Sequence, residues 1–137
     1  GKQLRRQAAD LGIADRVIFA GRRTDIPDLL RLVDVLVHPS ETESFGRTIA
    51  EAMACEKPVV GFRVGAVGEL ISDGQTGILI EPFDTEAMAE ATVRLLKDEN
   101  LRRLMGEAGR ERALRLYDLK TNIAAMVDVI EQVAEGA

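Results

Sequence analysis

Tryptophan is absent, tyrosine occurs once and aromatic residues make up 4% of the chain. The stacking platforms on which single-stranded nucleic acids rest therefore have few residues to be built from. Basic residues are outnumbered as well: 18 Lys and Arg stand against 23 Asp and Glu, a net charge of −5. No basic surface is available to recruit nucleic acid. A lone cysteine, Cys55, excludes an internal disulfide and fits a reducing compartment. It sits at the apolar end of a helix before Lys57-Pro58, the setting of a small buried hydrophobe rather than a nucleophile. The only histidine, His38, is far from it in sequence, so no Cys–His pairing can be argued. No apolar run reaches membrane-spanning length and no signal peptide is visible. Asp-x-Asp is missing too, so that pattern of carboxylate metal ligands is not visible.

What is present is ordinary for one globular domain: 137 residues, 46% apolar and 30% charged. The chain opens on Gly1 rather than Met, inside a helix expected over Lys2–Leu11, and that start reads as a cut. Gly12 closes this helix as a C′ glycine does. Arg16–Ala20 is strand-like and ends at Gly21. Asp25 is placed to cap a helix over Ile26–Leu32, with Pro27 in its first turn. A strand over Asp34–His38, a helix over Phe45–Cys55, a strand over Pro58–Gly61, a short helix over Val67–Ile71 and a strand over Ile78–Ile80 follow. This alternation predicts an α/β fold, a parallel doubly wound sheet with ligands at the carboxyl ends of its strands. From Asp84 only helices are expected: Thr85–Leu96 capped by Asp84, Glu99–Leu116 capped by Asp98, and a last one with Leu119, Ile123, Met126, Val127, Ile130 and Val133 on one stripe.

The stretch from Pro39 to Ala54 carries the chemistry. A buried strand, a polar turn and a helix start make a ready anion site, because the first helical N–H groups have no partner and the dipole favours negative charge. Ser44, Phe45 and Gly46 are the residues whose backbone is placed to meet a phosphate, and Gly46 permits close approach. Glu43 precedes the helix and Glu51 lies on it, with seven residues between them. A carboxylate would repel a phosphate, so each is better suited to accept hydrogen bonds from a diol. A diphosphate with a sugar at either end matches that spacing. The plainer alternative is that Arg47 and Glu51 form an exposed i,i+4 ion pair of ~0.3–0.5 kcal/mol, and that Glu41 and Glu43 merely solvate a loop.

Glu43-Ser-Phe-Gly-Arg-Thr-Ile-Ala-Glu51 resembles the E-x7-E motif of family 4 (group 1) retaining glycosyltransferases with the GT-B fold. The flanks Asp34–Ser40 and Ala52–Val60, and the blocks Val64–Glu69 and Asp73–Ile80, resemble the same family in the same order. The resemblance implies a Rossmann-like sheet of the C-terminal, donor-binding domain over residues 1–137. It also implies that this sheet lacks its first two strands and that the N-terminal acceptor domain is absent. Arg16–Ala20 would then lose its neighbour, leaving an exposed sheet edge that, with the terminal helix, invites self-association.

The implied activity is transfer of a hexose from a nucleoside-diphosphate sugar to a hydroxyl, without a metal cofactor. The chain alone is expected to be inactive. Glu43 would serve as the catalytic carboxylate at the donor sugar and Glu51 would hold the ribose. Ser44, Phe45, Gly46 and Arg47 would lie along the diphosphate, with Arg22 and Arg23 in the base-binding loop. A cytoplasmic location follows from the resemblance, with peripheral attachment of the parent protein to the inner membrane left open. In the family the terminal helix crosses to the other domain, so here its stripe must find another partner or pack locally. His38 reads as a packed or hydrogen-bonded residue. Ala66 and Gly68 replace the family's frequent Gly and Pro, and Glu69 reads as a brace for local backbone. A non-catalytic nucleotide-binding or interaction module, and a nucleotide-sugar epimerase, are the competing readings. The spacing from Glu43 to Glu51 and the Asp73–Gly77 block favour the transferase over the epimerase.

Overall fold

The computed structural model describes residues 1–135; in the last helix the side chains of Leu119, Thr121, Ala125 and residues 133–135 lie outside that description. Helix α1 (Lys2–Asp10) is followed by a 3-10 turn, α2 (Ile26–Leu32), β1 (Leu36–His38), α3 (Arg47–Ala54), β2 (Val59–Phe62), α4 (Val67–Leu70) and β3 (Gly77–Ile80). Three helices complete the chain: α5 (Thr85–Lys97), α6 (Glu99–Tyr117) and α7 (Leu119–Glu135). Gly12 does end α1, at φ 67°. Its N–H donates to the Ala9 carbonyl and that of Ile13 to the Ala8 carbonyl, the paired bonds of a Schellman closure. Asp84 and Asp98 cap α5 and α6 as expected, each accepting an N–H of the first turn at 2.9 Å. Asp25 does not cap α2 with its side chain, because its carboxylate is taken by the Arg23 guanidinium.

The sheet is parallel throughout, in the order β1-β2-β3. Its central strand reads Val59-Val60-Gly61-Phe62 and all four residues are buried, as a strand covered on both faces requires. Alternation along the strands sorts the core. Val59 and Leu79 pack with Ile49, Met53, Val67 and Leu70 from α3 and α4, whereas Val60, Phe62 and Ile80 pack with Met88, Leu95 and Met105 from α5 and α6. Ile49, Met53 and Leu95 are wholly buried, and each such side chain contributes about 1.5–3 kcal/mol of hydrophobic free energy.

Arg16–Ala20 is not a strand. Among the described residues the sheet has three strands, and none lies beside this segment to complete a ladder. Without a neighbour to bury it, Ile18 is 91% exposed, and Phe19 lies instead under the Arg5 guanidinium, 4.4 Å from the ring centre. The outer edge of β1 is open in the same sense, with Val37 partly exposed. The stripe on α7 does not pack locally. Ile123, Met126, Val127 and Ile130 are exposed, and the side chains of Leu119 and Val133 lie outside the described ones. No helix among the described residues is long and apolar enough to cross a membrane.

Helix α6 lies against α3 and against the turn that follows it. At Gly106 the Glu56 carbonyl comes so close that an added Cβ would collide with it, whereas at Gly109 a Cβ would meet the Met53 side chain at 3.7 Å, an ordinary contact. Two Gly→Ala changes in one helix interior should therefore differ in sign. Gly109→Ala is expected to be neutral or to stabilise by up to ~1 kcal/mol through helix propensity, and Gly106→Ala to destabilise by ~1–3 kcal/mol through overpacking against backbone. Denaturant unfolding of both variants reads the contrast directly; equal effects would mean that α6 does not sit this close.

Candidate functional site

Strand β1 ends at His38 and delivers the chain into the polar turn before α3. Gly46 is the N-cap residue of α3 and adopts φ 74°, ψ 37°, the left-handed region, with the Leu70 side chain where a Cβ would go. A glycine has no side chain with which to cap, and the role passes to Glu43. Its Oε1 accepts the N–H of Phe45 at 3.2 Å and of Gly46 at 2.9 Å, while its Oε2 lies 3.2 Å from His38 Nε2. The main chain is held as firmly. The Ala66 N–H donates to the Glu43 carbonyl at 3.0 Å, and Gly65 approaches that carbonyl too closely for any Cβ. Ala66 itself sits at φ −63°, ψ −17°, an ordinary helical conformation, so its place where glycine is frequent costs nothing.

The amides of Phe45 and Gly46, expected to face a phosphate, are thus engaged by Glu43. Those of Arg47 and Thr48 are the helical N–H groups that α3 leaves without an acceptor of its own. A carboxylate offers about four lone-pair directions. Two on Oε1 go to backbone and one on Oε2 faces His38, so Glu43 retains a single direction for a hydroxyl rather than the pair that a diol would use. The Gly46 and Phe45 amides, and secondarily His38, hold the Glu43 carboxyl below the usual carboxylate range against a partial desolvation that opposes them.

Three depressions meet at Ser44 and Phe45. One, about 410 Å³, is bordered by Thr42, Glu43, Ser44 and Gly65. A second, about 380 Å³, runs between α3 and α6 past Phe45, Arg47, Glu51 and Tyr117. The third, about 260 Å³, has Ser44, Phe45, Glu69 and Tyr117 on its walls. Glu43 and Glu51 therefore line two separate hollows that the third connects through Ser44 and Phe45. Arg47 pairs with Glu51 at 3.3 Å, with the arginine 81% exposed, so the plainer ion-pair alternative is also realised and is weak. The Glu69 carboxylate does not brace backbone, since α4 has no side-chain cap and Glu69 is exposed along the third hollow.

Arg22 and Arg23 are not brought into this cluster. Both are exposed, line none of the three hollows, and Arg23 is committed to Asp25. His38 is hydrogen-bonded as expected, and Cys55 is a partly buried thiol at the edge of the core. Sequence reasoning missed what α6 contributes. Tyr117 stands edge-on to Phe45 with ring centres 6.2 Å apart. Arg112 donates from Nε to the Leu70 carbonyl at 2.8 Å and from Nη2 to the Glu69 carbonyl at 2.7 Å, tying α6 to the end of α4. The signal was there in Gly106 and Gly109, two glycines within a helix, which mark close approach by another segment.

The family model for glycosyl transferases group 1 matches residues 1–112 of the chain. The chain belongs to that family. Among relatives of this group 1 chain, the N-acetyl-alpha-D-glucosaminyl L-malate synthase of Bacillus anthracis is 47% identical over 102 residues, covering 74% of this chain and 27% of that protein. The lipopolysaccharide core biosynthesis mannosyltransferase LpsB of Rhizobium meliloti is 35% identical over 131 residues, 94% of this chain and 37% of that protein. The chain thus spans about a quarter to two fifths of these relatives' length. Among solved structures, Anabaena HepE in complex with UDP superposes with a TM-score of 0.91 at 32% identity, over 96% of this chain and 36% of that one. Sucrose-phosphate synthase from Thermosynechococcus elongatus gives 0.89 at 30% identity, over 99% and 35%. The parallel strands and flanking helices are the Rossmann-like architecture of a GT-B C-terminal domain.

The Glu43 contacts make a pH signature. Because its folded carboxyl titrates below its unfolded value, its stabilising contribution is complete above about pH 5 and fades as pH falls through the depressed folded value. The stability gap between wild type and Glu43→Gln should accordingly be flat from about pH 5 to 7 and narrow on acidification. Unfolding midpoints over that range test it, and a gap that widens in acid would contradict the cap.

Proposed function

We propose that this group 1 chain is the donor-binding part of the C-terminal domain of a retaining glycosyltransferase, which moves a hexose from a nucleoside-diphosphate sugar to a hydroxyl acceptor. One observation carries the reading: Glu43 and Glu51 line two hollows that a third, walled by Ser44, Phe45 and Tyr117, links at the start of α3. The diphosphate lies against the unpaired amides of Arg47 and Thr48, where the helix dipole favours negative charge. These donors are fixed before reaction, so they stabilise the charge that grows on the leaving diphosphate as the anomeric bond breaks. The exposed Arg47 side chain swings from Glu51 to the phosphates at little cost, since the pair it leaves is weak. Glu51 then accepts from the ribose hydroxyls. Glu43 accepts one hexose hydroxyl on Oε2 and so sets the anomeric carbon in place, a positioning contribution.

Support for the donor class comes from Anabaena HepE, whose structures are described with UDP and with UDP-glucose. Retention rests on the likeness of Glu43–Glu51 to the E-x7-E motif, and metal independence on the helix terminus and Arg47 as the neutralising groups. A cytoplasmic site of action completes the proposal. Arg22 and Arg23 are assigned no role in it.

Calorimetry on the full-length protein with UDP, ADP and GDP tests the ribose assignment. For whichever nucleotide binds, Glu51→Ala should weaken affinity by about 10–100-fold, the effect of losing hydrogen bonds to a charged acceptor. Equal affinity in wild type and variant would remove Glu51 from the site. Nucleotide binding without sugar transfer to any hydroxyl acceptor would favour the non-catalytic module.

A further inference from the structure

We propose that His38 is a positioning residue for Glu43, its Nε2–H fixing the carboxylate so that one lone pair of Oε2 is left for the donor hexose. This rests on the donor-site reading given above. Two backbone amides donate to Oε1, and an amide N–H cannot accept a proton, so both bonds favour the ionised carboxylate. An ionised carboxylate only accepts. The proton between His38 and Glu43, 3.2 Å apart, therefore resides on Nε2. Imidazole is otherwise free to carry it on either nitrogen, and this contact selects the tautomer.

The restraint is complete in a way that backbone alone does not achieve. Two bonds to Oε1 leave the carboxylate able to turn about the axis through that oxygen, and a third bond to Oε2 stops the turn. His38 is itself fixed, as the last residue of β1 in register with Gly61 of β2 and with its side chain only 14% exposed. The chain of restraint runs from sheet to imidazole to carboxylate to sugar hydroxyl. His38 touches no substrate and acts only through Glu43.

The test is a kinetic cycle in the full-length protein with its sugar nucleotide. His38→Phe keeps a planar ring and removes the donor; His38→Gln returns an N–H at a similar reach. The first should lower kcat by about tenfold or more, the size of one charge-assisted hydrogen bond, with the nucleotide KM within twofold, and the second should recover most of the loss. In a Glu43→Gln background, His38→Phe should cost nothing further, because its effect passes through that carboxylate. Additive losses, or equal losses in the Phe and Gln variants, would overturn the proposal in favour of simple packing. Should the Phe variant fail to fold, ¹⁵N shifts of the His38 ring in the wild type decide: a protonated Nε2 and bare Nδ1 support the assignment, and the opposite tautomer refutes it. If Glu43→Gln itself leaves turnover unchanged, the donor-site reading fails. If Glu43→Gln is crippled while His38→Phe is not, only the positioning role falls.

Discussion

The Glu43 carboxylate is the point on which the site is hung. It closes the turn before α3 by accepting two amides and touches the end of β1 through His38, while the backbone carbonyl of the same residue accepts the Ala66 N–H of the Gly65–Ala66 turn. Three separate segments are pinned to one residue. Each bond is individually modest. Together they set where the backbone stands before any ligand arrives. A site whose donors and acceptors are already aimed need not spend binding free energy on ordering them. The residue proposed to meet the donor sugar therefore also holds the turn around it.

Much of the fold was legible because its signals are local. Gly12, Asp84 and Asp98 mark helix ends through backbone geometry and a side-chain acceptor that need no distant partner. The apolar runs at Val59–Val60 and Ile78–Ile80 are short and rich in β-branched residues, and the parallel sheet follows from their alternation with helices. Arg16–Ala20 shows the limit. Its Val-Ile-Phe core has every strand preference, but a strand exists only through its neighbour, and none of the described residues supplies one. Asp25 shows another, since a capping residue next to an arginine has a competing bond that a consensus does not weigh.

The candidate site was legible in its linear part and opaque in its assembled part. Glu43, Gly46, Arg47 and Glu51 lie within one turn and one helix, where spacing alone fixes their relation. The engagement of the Phe45 and Gly46 amides by Glu43 depends on a rotamer and could not be read from spacing. Tyr117 and Arg112 reach the site from far along the chain, through packing of α6 on α3 and α4. Arg22 and Arg23 lie apart from these residues, after a segment that does not form the expected strand.

Gly106 has an influence that extends well past its own contact. A helix advances 1.5 Å and turns 100° per residue, so shifting α6 by a single position would swing a bulky side chain onto the Glu56 backbone and be refused. Tyr117 lies eleven positions further on, roughly 16 Å along the axis, and inherits its azimuth from that refusal. A missing side chain at one point of the helix thus dictates which way the only phenol in the chain faces about three turns later.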